Sequence, residues 1–180
     1  MADINVLALV GSLRAESANR QLVEVAAETA PDGVSVQLFD RLGELPFYNQ
    51  DIDNDGVVEP VKALRAAAAA ADAALIVTPE YNGSIPGVLK NAIDWLSRPF
   101  GAGALIEKPL AVIGTAGGQY GGVWAHDETR KSFGVAGSRV IDSIKLSIPG
   151  ATLQGNHPWE NAEVVADVRN AVGKLVAEVA

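Results

Sequence analysis

The chain has 180 residues, 48% of them hydrophobic, and a formal net charge of −8. That length and apolar content exclude a disordered polymer and fit one domain with a sizeable core. The acidic balance argues against a nucleic-acid partner or an anionic membrane surface, and the absence of cysteine removes disulfides, thiolate metal sites and thiol catalysis.

The chain begins Met-Ala-Asp-Ile-Asn, acidic where a signal peptide is basic, and no apolar run approaches the length of a membrane span. The expectation is a cytoplasmic protein. Asn5–Val10 is an apolar run ending at Gly11 and reads as the first strand. Ser17–Ala30 places Leu22, Val23, Ala26 and Ala27 at helical spacing, and Pro31-Asp32-Gly33 stops it. Val34–Phe39 alternates as a second strand, and Arg41–Gly56 reads as a loop. Glu59–Ala71, with its alanine run, is a helix. Ala73–Val77 is the third strand, Pro86–Ser97 the next helix, Pro109–Thr115 the fourth strand and Gly122–Phe133 a further helix. Arg139–Ile148 is the fifth strand, and Asn161–Val179 a terminal helix.

Strands and helices therefore alternate without a linker, and residues 1–180 read as one domain. The first, third and fourth strands are apolar throughout, as in a parallel sheet covered on both faces. Right-handed crossovers then give a flavodoxin-like, doubly wound α/β fold: a five-stranded parallel sheet in the order 2-1-3-4-5.

In such a sheet, ligands bind beyond the carboxyl ends of the strands. Three segments there carry chemistry. The first is Gly11-Ser12-Leu13-Arg14-Ala15-Glu16-Ser17-Ala18-Asn19, leading into a helix whose unpaired N–H groups suit a phosphate. Ser12, Ser17 and Asn19 can donate hydrogen bonds, and Arg14 a charge. The alternative for this stretch is an ordinary N-cap at Ser17 and a solvated Arg14. Neither a Walker loop nor G-x-G-x-x-G is present. The second is Pro79-Glu80-Tyr81-Asn82-Gly83-Ser84, which puts a carboxylate, a phenol, an amide and a hydroxyl where a plain connection needs only a cap. The alternative is a simple Asn-Gly turn, which leaves Glu80 and Tyr81 unexplained. The third is Thr115-Ala116-Gly117-Gly118-Gln119-Tyr120-Gly121-Gly122, whose glycines let the backbone approach a planar ligand.

These segments resemble the NADPH-dependent FMN reductase family over nearly the whole chain. The pattern G-S-x-R-x-x-S-x-N is complete at Gly11–Asn19, and P-E-Y-N-x-S-x-P-G-x-L-K-N-A-I-D-W at Pro79–Trp95. Leu45–Asp51 is similar to the family's loop after the second strand, and the glycine loop matches loosely. Where members similar to chromate reductases carry an arginine, this chain has Val123-Trp124-Ala125-His126. The resemblance implies FMN as cofactor and NADPH or NADH as reductant, with electrons passing to a quinone, an azo compound, a metal oxyanion or free flavin. It implies that Ser12, Arg14, Ser17, Ala18 and Asn19 hold the phosphate, that Pro79, Glu80, Tyr81, Asn82 and Gly83 line the isoalloxazine, and that Thr115, Gly117 and Gly118 close the far side. The flavin carries the chemistry, so no catalytic side chain is expected. A homodimer or homotetramer is expected too. An electron carrier that binds FMN without NAD(P)H turnover is the alternative.

Several features are set aside. Asp51–Gly56 imitates the start of an EF-hand, but Lys62 stands where a glutamate is required. His126 and His157 have no ligand-spaced partner; His126 is expected to be solvated or at an interface, the alternative being a place near the flavin, since its helix begins beside the glycine loop. Trp95 reads as core or dimer surface rather than a cofactor stack, and Lys90, Asn91 and Asp94 as a solvated helix face or, together with Trp95, as part of a subunit interface.

Overall fold

The computed structural model describes residues 4–54 and 56–179; Met1–Asp3, Asp55 and Ala180 lie outside the described residues. Its elements are β1 (Ile4–Val10), α1 (Ala18–Glu28), β2 (Val34–Phe39), α2 (Glu59–Ala70), β3 (Ala73–Val77), α3 (Gly87–Leu96), β4 (Pro109–Ala116), α4 (Val123–Val135), β5 (Arg139–Pro149), α5 (Gly150–Leu153) and α6 (Ala162–Val176). All strand pairs are parallel, and the five-stranded order is β2-β1-β3-β4-β5. The order and direction expected from the sequence are those observed.

The two-residue period of a strand sends its side chains to two separate cores. On one face Val6, Ala8, Leu75, Val77 and Ile113 pack beneath α1 and α6, which contribute Leu22, Val168 and Leu175. On the other, Leu7, Leu9, Ile76 and Val112 pack beneath α2, α3 and α4, through Leu64, Leu89, Trp95 and Phe133. Every residue of β3 is buried, because it lies in the middle of the sheet with helices on both sides.

Helix ends are tied down by side chains. Asn161 caps α6, accepting from the N–H groups of Glu163 and Val164. Lys108 donates to the carbonyls of Ala68 and Ala69, both at 2.8 Å, at the C-terminal end of α2.

Observed and expected elements differ where the sequence has no period to read. The Arg41–Gly56 stretch holds two short 3₁₀ turns, Leu42–Glu44 and Gln50–Ile52. β5 carries an irregularity opposite Leu110–Val112, and it runs straight into α5, four residues too short for a helical pattern to show. Asp53 of the EF-hand-like run makes a bidentate pair with Arg65 at 2.8 and 3.0 Å. Among the described residues no group of three or more side chains is placed to hold a metal ion.

Candidate functional site

The carboxyl ends of β1, β3 and β4 open onto a cleft of about 630 Å³. Ser12, Arg14, Ser17, Ala18 and Asn19 form one wall, Pro79, Glu80 and Tyr81 a second, and Thr115 and Gly117 a third. Ten of the thirteen residues singled out from the sequence thus meet in one place. Asn82, Gly83 and Gly118 are not among the wall residues. The cleft also takes in Glu16 and Ala116 from within the first and third segments, and Gln21, Gly150, Leu153, Gly155 and Asn156, which sequence reasoning missed. Gln21 was detectable: it stands one helical turn after Ser17, on the same face. The Gly150–Asn156 segment was not, because only the packing of the β5 end against Ala116 and Gly117 brings it there.

Ser17 occupies the N-cap position of α1, with φ −75° and ψ 125°, yet its hydroxyl makes no capping hydrogen bond. The simple capping explanation is thereby set aside. The first turn of α1 has no acidic residue, and its N–H groups have no intrahelical acceptors. Arg14 is exposed at the rim, one guanidinium nitrogen donating to the Glu16 carbonyl at 3.0 Å. A helix N-terminus, an uncommitted hydroxyl and a cation on one wall make a place for a phosphate.

Asn19 is different. Its amide donates to the Thr115 carbonyl and accepts from the Thr115 N–H, both at 2.9 Å, in a buried position. It joins the start of α1 to the end of β4, and so fixes the distance between two walls.

The second wall is a two-residue hairpin. Tyr81 and Ser84 exchange both backbone hydrogen bonds at 3.1 Å. Asn82 (φ 53°) and Gly83 (φ 73°) between them are both left-handed, the requirement of a type I′ turn. That explains the Asn-Gly pair and turns both residues outward. Glu80 does not face a ligand with its carboxylate: Oε2 accepts from the N–H groups of Trp124 and Ala125 at 3.1 and 3.2 Å, capping α4 from outside. Ser84 donates to Glu128 at 2.6 Å. The hairpin is therefore bound to α4 at two points, and what it presents to the cleft is backbone and the half-exposed Tyr81 ring.

Close by, Tyr120 and Trp124 are half-exposed, with ring centroids 5.6 Å apart. Open space lies beside Gly117 and Gly118, where nothing stands within 4 Å of a notional Cβ. A flat ring can lie there against main chain. The donor set thus fits FMN: a phosphate nest at one end and a flat, backbone-lined slot at the other.

Two expectations are corrected. His126 is not solvated: it is fully buried, with ring nitrogens on Thr78 and Ser147. Asn91 is not at an outer face either, and Trp95 lies in the core, the first of its two expected places. Asn91 accepts from the Tyr48 N–H at 2.8 Å, and both side chains donate to the Pro46 carbonyl, at 2.9 and 2.8 Å. They hold the Leu45–Asp51 loop against α3, with Tyr48 edge-on to Trp95 at 5.0 Å. Asn91 looked like surface because its partner loop lies some forty residues away in sequence. Lys90 and Asp94 do form an exposed ion pair, at 2.6 Å.

Known proteins share both the sequence and this architecture. The sequence model of the NADPH-dependent FMN reductase family matches residues 4–152. A quinone reductase of Pseudomonas putida is 44% identical over 151 residues, covering 84% of this chain and 78% of its own. A 2-hydroxy-1,4-benzoquinone reductase of a Burkholderia species is 46% identical over 127 residues, 71% of this chain and 68% of its own. Among solved structures, the flavoenzyme NAD(P)H:(acceptor) oxidoreductase FerB of Paracoccus denitrificans superposes with a TM-score of 0.82 at 31% identity, over 97% of this chain and 98% of its own. With its motifs converging on one cleft and its sequence matched over most of its length, this chain belongs to the NADPH-dependent FMN reductase family.

Proposed function

We propose that this chain is an NAD(P)H-dependent oxidoreductase that holds FMN in the cleft and delivers electrons to a quinone. The observation that carries the reading is the Ser17 hydroxyl, left without a capping bond at the N-terminus of α1, on the same wall as Arg14. Bound FMN would supply two-electron chemistry, accepting hydride from a nicotinamide and passing the electrons on. Every other task falls to the protein.

Ser12, Arg14 and Ser17, with the first-turn N–H groups of α1, would hold the phosphate. Ala18, also on this wall, would stand beside it, and Asn19 sets the spacing to Thr115. Pro79, Glu80 and Tyr81 would bound the ring with main chain and one aromatic face, and Thr115, Gly117 and Gly118 the other side. Asn82 and Gly83 act by setting the turn. No side chain is called on as acid or base; solvent reaches the open cleft and can exchange protons there. Tyr120 and Trp124 offer an exposed aromatic surface to a planar acceptor. The quinone class is supported by the names of the relatives from Pseudomonas and Burkholderia.

The same reading places the protein in the cytoplasm, where reduced nicotinamides are available, as a homodimer or homotetramer. No helix among the described residues is long and apolar enough to cross a membrane. The test is consumption of NADPH or NADH with menadione, by protein reconstituted with FMN. Turnover that depends on both FMN and menadione is expected; no nicotinamide oxidation above the FMN-only blank rejects the proposal. Light scattering that gave the 18.7 kDa mass of one chain would reject the oligomer.

A further inference from the structure

His126 stands in the first turn of α4, and its ring has 0% exposure. Nε2 lies 2.8 Å from the Thr78 carbonyl and Nδ1 2.6 Å from the Ser147 hydroxyl. A carbonyl only accepts, so Nε2 carries the proton and donates; in the neutral ring Nδ1 then accepts from Ser147. Burial away from water holds the His126 pKa below its ordinary value of 6.5. The hydrogen bond to the Thr78 carbonyl favours the positive form, as do Glu80 on the hairpin and Asp127, while Arg130, one turn along α4, opposes it. The desolvation prevails, and the ring is neutral at neutral pH.

The main chain around this ring is cleared to admit it. A Cβ on Gly114 would stand 2.8 Å from His126 Nε2 and 2.8 Å from Asn19 Oδ1, and would collide with the Thr78 carbonyl. The ends of β3 and β4, the start of α1 and the first turn of α4 therefore meet at a single point beneath the cleft. Thr78 immediately precedes the Pro79–Ser84 hairpin. The peptide between Thr78 and Pro79 has no N–H, so its orientation can be fixed by hydrogen bonding only through the Thr78 oxygen. His126 supplies that bond, and Ser147, opposite Gly114 in the β4–β5 register, braces the ring from behind. The ring is not among the residues that line the cleft.

We infer that His126 is a positioning residue for the flavin site: braced by Ser147, it fixes the Thr78–Pro79 peptide and so aims the hairpin wall of the cleft. The inference rests on the reading of the cleft as an FMN site. It differs from general structural support in acting on ligand affinity through one carbonyl.

The experiment is FMN titration by flavin fluorescence quenching on cofactor-stripped wild type, His126→Ala, His126→Gln and Ser147→Ala, each with its thermal midpoint. Val168→Ala, a buried site on the outer helix α6, is the control for lost stability. His126→Ala is expected to raise the FMN dissociation constant about tenfold, the scale of one lost hydrogen bond in a buried place. Val168→Ala is expected to lower the melting temperature with less than about a twofold change in that constant. Glutamine offers a donor and an acceptor on one amide, and should recover affinity to within about threefold of wild type. Ser147→Ala leaves the Thr78 bond but frees the ring, and should fall between. Wild-type affinity in His126→Ala overturns the inference, and so does an equal loss in Val168→Ala. Should His126→Ala fail to fold, an unchanged constant in Ser147→Ala overturns it. Failure of wild type itself to bind FMN condemns the cofactor reading first, and the inference falls with it.

Discussion

The Gly11–Asn19 loop and the Pro79–Ser84 hairpin bound the same cleft, yet their polar side chains are used in opposite ways. In the loop, the Ser17 hydroxyl makes no cap and Arg14 lies exposed at the rim. In the hairpin, Glu80 caps α4, Ser84 binds Glu128, and Asn82 and Gly83 serve the turn. The first wall keeps side chains ready for a ligand; the second uses them to hold its own shape and offers main chain. A phosphate is a compact charge best met by charge-assisted donors, whereas a planar ring is best met by a rigid surface of fixed contour. The glycine loop belongs with the hairpin, since it too contributes space and backbone.

The sharpest break in this picture would come from Asn19, the one residue of the loop that behaves like the hairpin. Asn19→Ala strands the Thr115 N–H and carbonyl in a buried place, and should lower unfolding free energy by about 2–4 kcal/mol. Urea denaturation of the apoprotein measures it; a loss below about 1 kcal/mol would return Asn19 to the ligand-binding set. Arg14→Ala should do the reverse. Its FMN dissociation constant should rise roughly ten- to a hundredfold while the melting temperature of the apoprotein stays put. Equal affinity in the variant would show that the loop does not hold the phosphate.

Glu80→Ala removes the outer cap of α4 and should cost about 1 kcal/mol of stability, visible without any cofactor. No stability change, with a large loss of FMN affinity, would mean that the carboxylate faces the ligand after all. A pH series probes the buried end of the same wall. With the folded His126 pKa held below 6.5, the unfolded chain takes up its proton first as pH falls. The His126 contribution to stability is therefore full above about 6.5, declines below it, and levels off beneath the folded pKa. The slope over that window should be shallower in His126→Gln. The smallest effect is expected from Asn82→Gly, which keeps the left-handed turn and should leave FMN affinity within about twofold of wild type, whereas Asn82→Ala strains it by about 1 kcal/mol. If the glycine variant loses as much affinity as the alanine variant, the Asn82 amide itself touches the ligand.

The sequence by itself determined the sheet order, the parallel strands and the three loops of the cleft. Each follows from local information: apolar runs bounded by glycine, helical spacing between them, and long motifs at strand ends. Those motifs and the helix after the glycine loop also contained residues whose polar groups are committed to the protein itself, and here only the tertiary structure could decide. Glu80, Asn91 and His126 looked like ligand, surface or interface groups, and Trp95 like core or interface. Their partners are the N-terminus of α4, the Pro46 carbonyl and the Thr78 carbonyl, each more than forty residues away. Likewise Gly150–Asn156 reaches the cleft only because β5 pairs with β4 in the observed register. A side chain's chemistry is written in the sequence. Whether its hydrogen-bonding capacity is left for a ligand or used up by a distant carbonyl depends on which elements pack together, and no local pattern encodes that.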